Sequence, residues 1–161
     1  MRKIQSKADS VGYRNQFDRV RRMLERVYAS SDDERAFTDD LLSFCMHCTH
    51  LANWIESDRY VPARSKHIVA QALTTAKWLL ICRDIANGVK QSRLGKPKSG
   101  KGPKSASVER TKRADSERVT LDAIFDDGQG NPIAGRTIAL NCVNEWRAIL
   151  RDAGLTTRRP G

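Results

Sequence analysis

The sequence predicts a mainly α fold, with three long helices and with a small β-hairpin and a C-terminal helix completing the core. Three observations carry this expectation. Apolar residues recur at steps of three and four through most of the chain before residue 90, the spacing that lines one face of an α-helix. Val119, Leu121, Ala123 and Phe125 alternate instead, as in a half-buried strand, and the turn-forming run Asp127-Gly128-Gln129-Gly130-Asn131-Pro132 follows them. A last three-and-four seam returns at Ile138, Cys142, Val143, Trp146, Ile149 and Leu150.

The first helix is expected over Tyr13 to Tyr28. Tyr13, Phe17, Val20, Leu24 and Val27 form a narrow seam, while Arg14, Arg19, Arg21, Arg22 and Arg26 fall mostly off it. Ser31-Asp32-Asp33-Glu34 has the spacing of a capping box, so a second helix is expected from about Asp33 to Ser57. Its inner face is Leu41, Phe44, Cys45, Cys48, Leu51, Ala52 and Ile55, bordered by Trp54. Pro62 suits a first turn, and a third helix is expected from Pro62–Lys66 to Asn87, stopped by Gly88 in the left-handed region. Its stripe is Val69, Leu73, Ala76, Leu80 and Arg83, widened by Ala72, Leu79 and Ala86. A short return strand is expected at Ile133 to Ile138, and a final helix from Ala139 to Ala153 capped by Gly154. The domain plan is an arm at 1–12, a bundle core at 13–92, a flexible basic loop at 93–117, the hairpin and last helix at 118–155, and a tail at 156–161.

A chain of 161 residues suits one domain with an appendage. The first residues lack the apolar core of a signal peptide, and Trp78–Cys82 is far too short an apolar run to cross a bilayer. A cytoplasmic chain without a membrane partner is therefore expected, with reduced cysteines. The net charge of +10 favours a polyanionic partner. Lys90, Arg93, Lys96, Lys98, Lys101, Lys104, Arg110, Lys112 and Arg113 stand against the single Glu109, which places +8 of the +10 in one stretch. These residues are the expected nucleic-acid contacts. Interleaved Gly, Pro and Ser leave the stretch too little apolar surface to offset its ordering entropy.

Two blocks could carry chemistry. Cys45 and Cys48 with His50 have zinc-type donor atoms, although Cys82 and Cys142 stand far off in the sequence and leave the set incomplete. Two small core cysteines one helical turn apart are the plainer reading, and no metal or other cofactor is expected. His50 and Trp54 share a helix face at i and i+4. Arg83 and Asp84 form the second block. Arg83 interrupts the apolar stripe, so a paired and partly buried guanidinium is expected, with Asp39 or Asp40 as the acid and no contact with His50 inside one chain. Trp54, Trp78 and Trp146 could serve as interface anchors.

His50-Leu51-Ala52-Asn53-Trp54-Ile55-Glu56-Ser57-Asp58, Asp84-Ile85-Ala86-Asn87-Gly88-Val89-Lys90-Gln91 and the helix end Trp146 to Leu155 resemble marker blocks of small, uncharacterised bacterial helical proteins. More distantly the bundle is similar to HEPN domains, many of which are ribonucleases of toxin and phage-defence systems. The resemblance implies a HEPN-like three-long-helix bundle and a homodimer. HEPN nucleases share an Arg-x(4–6)-His motif, which is missing here, and Gln91 stands where closer relatives tend to carry histidine. Glutamine cannot exchange protons near neutral pH. The expected function is thus a non-catalytic module binding RNA or another nucleic acid. The alternatives are an RNase-type effector using His50, Arg83 and Asp84, and a structural or protein-interaction subunit.

Overall fold

The computed structural model describes residues 12–29, 33–90, 106–112, 119–126 and 130–157. Among the described residues, five helices and a small three-stranded antiparallel sheet succeed one another as α1 (Tyr13–Tyr28), α2 (Glu34–Ser57), α3 (Ala63–Leu73), α4 (Lys77–Lys90), β1 (Ala106–Lys112), β2 (Val119–Asp126), β3 (Pro132–Ala134) and α5 (Gly135–Asp152). The chain is mainly helical, as its periodicity requires.

α1 buries Tyr13, Phe17, Val20 and Val27 along the expected seam, and Arg21, Arg22 and Arg26 face solvent. α2 buries Phe37, Leu41, Phe44, Cys45, Cys48, Leu51 and Ile55. Its cap differs from the expected box. Ser31 lies outside the described residues, and Asp33 is the N-cap, its Oδ1 accepting from the amides of Arg35 at 3.0 Å and Ala36 at 3.1 Å. Glu34 pairs with Arg110 instead of reaching back.

The expected third helix is two helices. It breaks at Thr74–Ala76, where the Thr74 hydroxyl donates to the Gln71 carbonyl. Adjacent β-branched threonines lose side-chain freedom in a helix, and their hydroxyls compete for backbone partners. The break resets the helical frame. In α4 the buried residues are Leu79, Cys82, Ile85 and Ala86, and Arg83 is exposed rather than on the apolar stripe. α4 also runs through Gly88 to Lys90, so Gly88 does not stop it; among the described residues only Gly130 and Gly154 have positive φ.

The 93–117 stretch is not a continuous loop, because β1 lies within it and pairs antiparallel with β2 from Ala106↔Phe125 to Lys112↔Val119. A charged strand is admissible at a sheet edge, where only one side is paired. On β2, Leu121, Ala123 and Phe125 point inward as the alternation predicts. β3 is shorter than expected and pairs with β2 through Ile133↔Phe125, while α5 begins four residues early, at Gly135. A Cβ at Gly135 would stand 2.8 Å from Leu41 Cδ2 and 3.3 Å from the Ala123 carbonyl oxygen, so this position is where α5 is drawn against α2 and β2.

Two helix starts without a side-chain cap of their own are capped by other elements. Glu145 on α5 accepts from the Leu79 amide in the first turn of α4 at 2.9 Å, and Asp122 on β2 accepts from the Arg136 amide of α5 at 3.1 Å. Both carboxylates also suit the positive helix end. α5 closes on Gly154 at φ 70, with Gly154 N–H donating to the Arg151 carbonyl and Leu155 N–H to Leu150, the paired bonds of a Schellman motif.

Candidate functional site

The face of α2 that turns toward α4 and α5 carries Cys45 and Cys48. α4 presents Cys82 to it, and α5 presents Cys142. All four cysteines of the chain meet in the core as free, fully buried thiols. The sulfurs of Cys48, Cys82 and Cys142 lie within 4.8 Å of one another. Cys45 interacts with Cys82 at the edge of this group. The Cys82 thiol donates to the Cys45 carbonyl at 3.6 Å, the Cys142 thiol to the Trp78 carbonyl at 3.2 Å, and the Trp146 indole N–H to the Cys48 carbonyl at 3.2 Å.

Burial raises the pKa of Cys48 and Cys142, and a hydrogen bond with Cys82, reinforced by burial, raises that of Cys45. Cys82 goes the other way. Hydrogen bonds from Cys142, Cys45 and Cys48 lower it, with Thr49 adding to them against desolvation. Thr49 Oγ1 is buried beside the cluster, where it faces Cys82. The expected donor set of Cys45, Cys48 and His50 is corrected here. His50 is not part of the sulfur group, and Cys82 and Cys142 do not stand alone. Two cysteines sixty residues apart on different helices leave no local pattern, so only the three-helix packing reveals the set.

A second concentration of polar groups lies where α1 meets α2. Gln16 is 1% exposed. Its Nε2 donates to the His47 carbonyl at 2.8 Å and lies 3.5 Å from His47 Nδ1, while Arg19 Nη1 donates to its Oε1 at 2.9 Å. The Arg19 guanidinium also lies 6.0 Å from the centre of the Trp54 ring. His47 is held below the ordinary histidine pKa by burial first, then by the Arg19 and His50 charges. His50 is half-buried beside it. The sequence directed attention to His50 and missed His47, whose partner Gln16 comes from another helix.

Arg83 does not join either group. It is exposed, and neither a hydrogen bond nor an ion pair ties it to His50, Asp39 or Asp40; Asp40 is taken by Arg26 at 3.0 Å. Asp84 is half-buried on α4. His50, Arg83 and Asp84 are therefore not assembled into one site within a chain. Trp146 is 1% exposed, which removes it as an interface anchor, while Trp54 and Trp78 remain half-buried.

Of the expected nucleic-acid contacts, Lys90 ends α4, and Arg110 and Lys112 lie on β1. Arg93, Lys96, Lys98, Lys101, Lys104 and Arg113 lie outside the described residues. Arg110 Nε pairs with Glu34 at 2.7 Å, both side chains about half-exposed. Arg26 and Arg136 gather at the same end of α2, Arg26 on Asp40 and Arg136 over the Phe37 ring at 5.7 Å. Among the described residues no helix is long and apolar enough to cross a membrane. Comparison with family models, with curated proteins and with solved structures finds no match to this chain.

Proposed function

We propose that the chain is a non-catalytic, HEPN-like helical module that binds RNA or another nucleic acid. The observation that carries this reading is the +8 charge of residues 90–113, attached at α4 and at β1 beside Arg26, Arg110 and Arg136. Such a run neutralises phosphates and releases counterions with little sequence preference. The reading includes a homodimer in a reducing, cytoplasmic setting; four unpaired thiols are consistent with that compartment.

The test replaces Lys96, Lys98, Lys101 and Lys104 with glutamine, which leaves β1 intact. Binding of a single-stranded RNA is then followed across salt. Each phosphate contact contributes about 0.7 to the slope of log affinity against log salt on a single strand. The quadruple variant should therefore bind more weakly, with a slope shallower by up to about 3. Unchanged affinity and slope would reduce the run to a solvated connection.

One observation favours a second reading. His47 and His50 stand one turn apart beside Arg19. A ribonuclease needs a proton acceptor, a proton donor and a cation near the phosphate. In this reading His47, depressed in pKa and neutral at pH 7, takes the 2′-hydroxyl proton, and His50 returns one to the leaving oxygen. RNA cleavage lost in both His47→Ala and Arg19→Ala, with circular dichroism unchanged, would support it; a wild-type chain that binds RNA without cutting it would end it.

A further inference from the structure

We propose that Cys48, Cys82 and Cys142, with Cys45 beside them, form a thiolate site for one thiophilic closed-shell cation, Zn2+ or Cu+. The cluster draws on three helices far apart in the chain. α2 supplies Cys45 and Cys48 one turn apart, α4 supplies Cys82 and α5 supplies Cys142, and three sulfurs come to within 4.8 Å of one another.

The metal geometry is within reach of this arrangement. Zinc–sulfur bonds of about 2.3 Å set sulfurs of a tetrahedral site about 3.8 Å apart. The three sulfurs need to close by at most about 1 Å, a side-chain adjustment rather than a helix movement. Cys45 lies outside the 4.8 Å group, one turn before Cys48 on α2, and supplies the fourth sulfur only by a further side-chain movement. Nitrogen and oxygen ligands are missing from the group, which selects soft cations over Mg2+ or Ca2+.

Packing alone accounts for small buried cysteines, but not for Thr49. Its hydroxyl is buried beside Cys82, and a neutral thiol is only a weak acceptor for it. A bound thiolate gives that hydroxyl a stronger one. Binding is a proton exchange. Each coordinating thiol gives up its S–H proton to solvent, four for a Zn2+ held by all four sulfurs and three for a Cu+ held by Cys48, Cys82 and Cys142. The sulfur lone pair forms the metal bond, no sulfur changes oxidation state, and the thiol hydrogen bonds of Cys142 to the Trp78 carbonyl and of Cys82 to the Cys45 carbonyl are given up.

The two cations separate on Cys45. The full chain is purified under reducing, chelator-free conditions and titrated with Zn2+, with Co2+ as a spectroscopic stand-in, and with Cu+ under competition from a chelator. The expected result is about one cation per chain, held at every thiol of a closed site. Co2+ should show thiolate charge-transfer bands and the intense ligand-field bands of a tetrahedral sulfur site. Cys82→Ser and Cys142→Ser should each lose the cation. Cys45→Ser should lose Zn2+ but keep Cu+ if the three-sulfur form is the occupied one. Thr49→Val, which keeps the shape and should fold, is expected to lower affinity roughly 10-fold, as removal of an outer-shell donor does. If the cysteine variants fail to fold, the wild-type chain decides: its melting temperature should rise with cation and fall with chelator. A folded wild-type chain that takes up none of these cations overturns the proposal. So does a chain purified with Cys48, Cys82 or Cys142 joined as a disulfide, or one whose melting temperature ignores both cation and chelator.

Discussion

His47 shows how one residue's titration reports the α1–α2 contact. Burial comes first among the causes that lower its pKa, followed by the Arg19 and His50 charges. A histidine whose folded pKa lies below its unfolded value resists protonation in the native state. The unfolded chain then binds more protons between the two values, and stability rises with pH across that window. The stabilisation is complete above the unfolded value near 6.5 and is lost as pH falls through the folded one. NMR titration of the imidazole should place His47 below the ordinary histidine value, and Arg19→Gln should move it upward. A His47 that titrates identically in both chains would show that Arg19 does not face it. Gly135 is a residue of another kind, held to glycine by a close approach. Leu41, against which its Cβ would press, is itself buried and has little room to yield. Gly135→Ala should destabilise the fold by about 1–3 kcal/mol, the usual cost of overpacking, measured by urea unfolding. A gain in stability, as expected for alanine at an open helix position, would contradict this packing.

Helix starts divide into those capped locally and those capped from a distance. Asp33 caps α2 from its own sequence, so Asp33→Ala should cost about 1 kcal/mol. The start of α4 relies on Glu145, sixty-six positions away, and Glu145→Ala should cost a similar amount, about 1 kcal/mol, while Glu145→Gln retains part of it through an amide oxygen. Equal stability of both Glu145 variants with wild type, by thermal unfolding, would show that water replaces the carboxylate. This division explains which elements were legible in the sequence. α1, α2, β2 and the Gly154 stop were readable because their determinants are local: seams, an alternation, a glycine at φ 70. The break between α3 and α4 was signalled only by Thr74-Thr75, against an apolar pattern that continues through it with its phase altered. That phase change moved Arg83 from an expected buried position to an exposed one. β1 was hidden by its charge, since Glu109, Arg110 and Lys112 read as solvated chain until β2 supplies the ladder that orders them.

At the scale of the whole molecule, α5 is the element on which the others converge. Trp146, buried in its middle, binds the Cys48 carbonyl of α2. At its start the Arg136 carbonyl accepts from Tyr28 of α1, and its amide donates to Asp122 of β2. At its end the Ala153 carbonyl accepts from Ser65 of α3, and Thr156 just beyond accepts from the Tyr13 hydroxyl of α1. The candidate site shares this dependence. The two cysteines of α2 were visible together, but Cys82 and Cys142 join them only because α4 and α5 pack on the same face, a long-range result that no spacing encodes. A chain ending at Asn131 keeps α1 to α4 intact in sequence but removes Ile138, Cys142, Trp146 and Leu150 of α5 from the core that these helices share. Helical propensity alone does not hold such helices in water, because most helix stability in a folded domain comes from the buried face. The truncated chain should retain helical circular dichroism in part while losing its near-ultraviolet tryptophan signal and its cooperative urea transition. Trp146→Ala in the full chain removes the same contact more gently and should cost about 3–5 kcal/mol, through the cavity and the lost bond to Cys48. A truncated chain that unfolds in one sharp transition with the midpoint of the full protein would show that residues 12–90 form a core of their own, and α5 would then be an accessory helix.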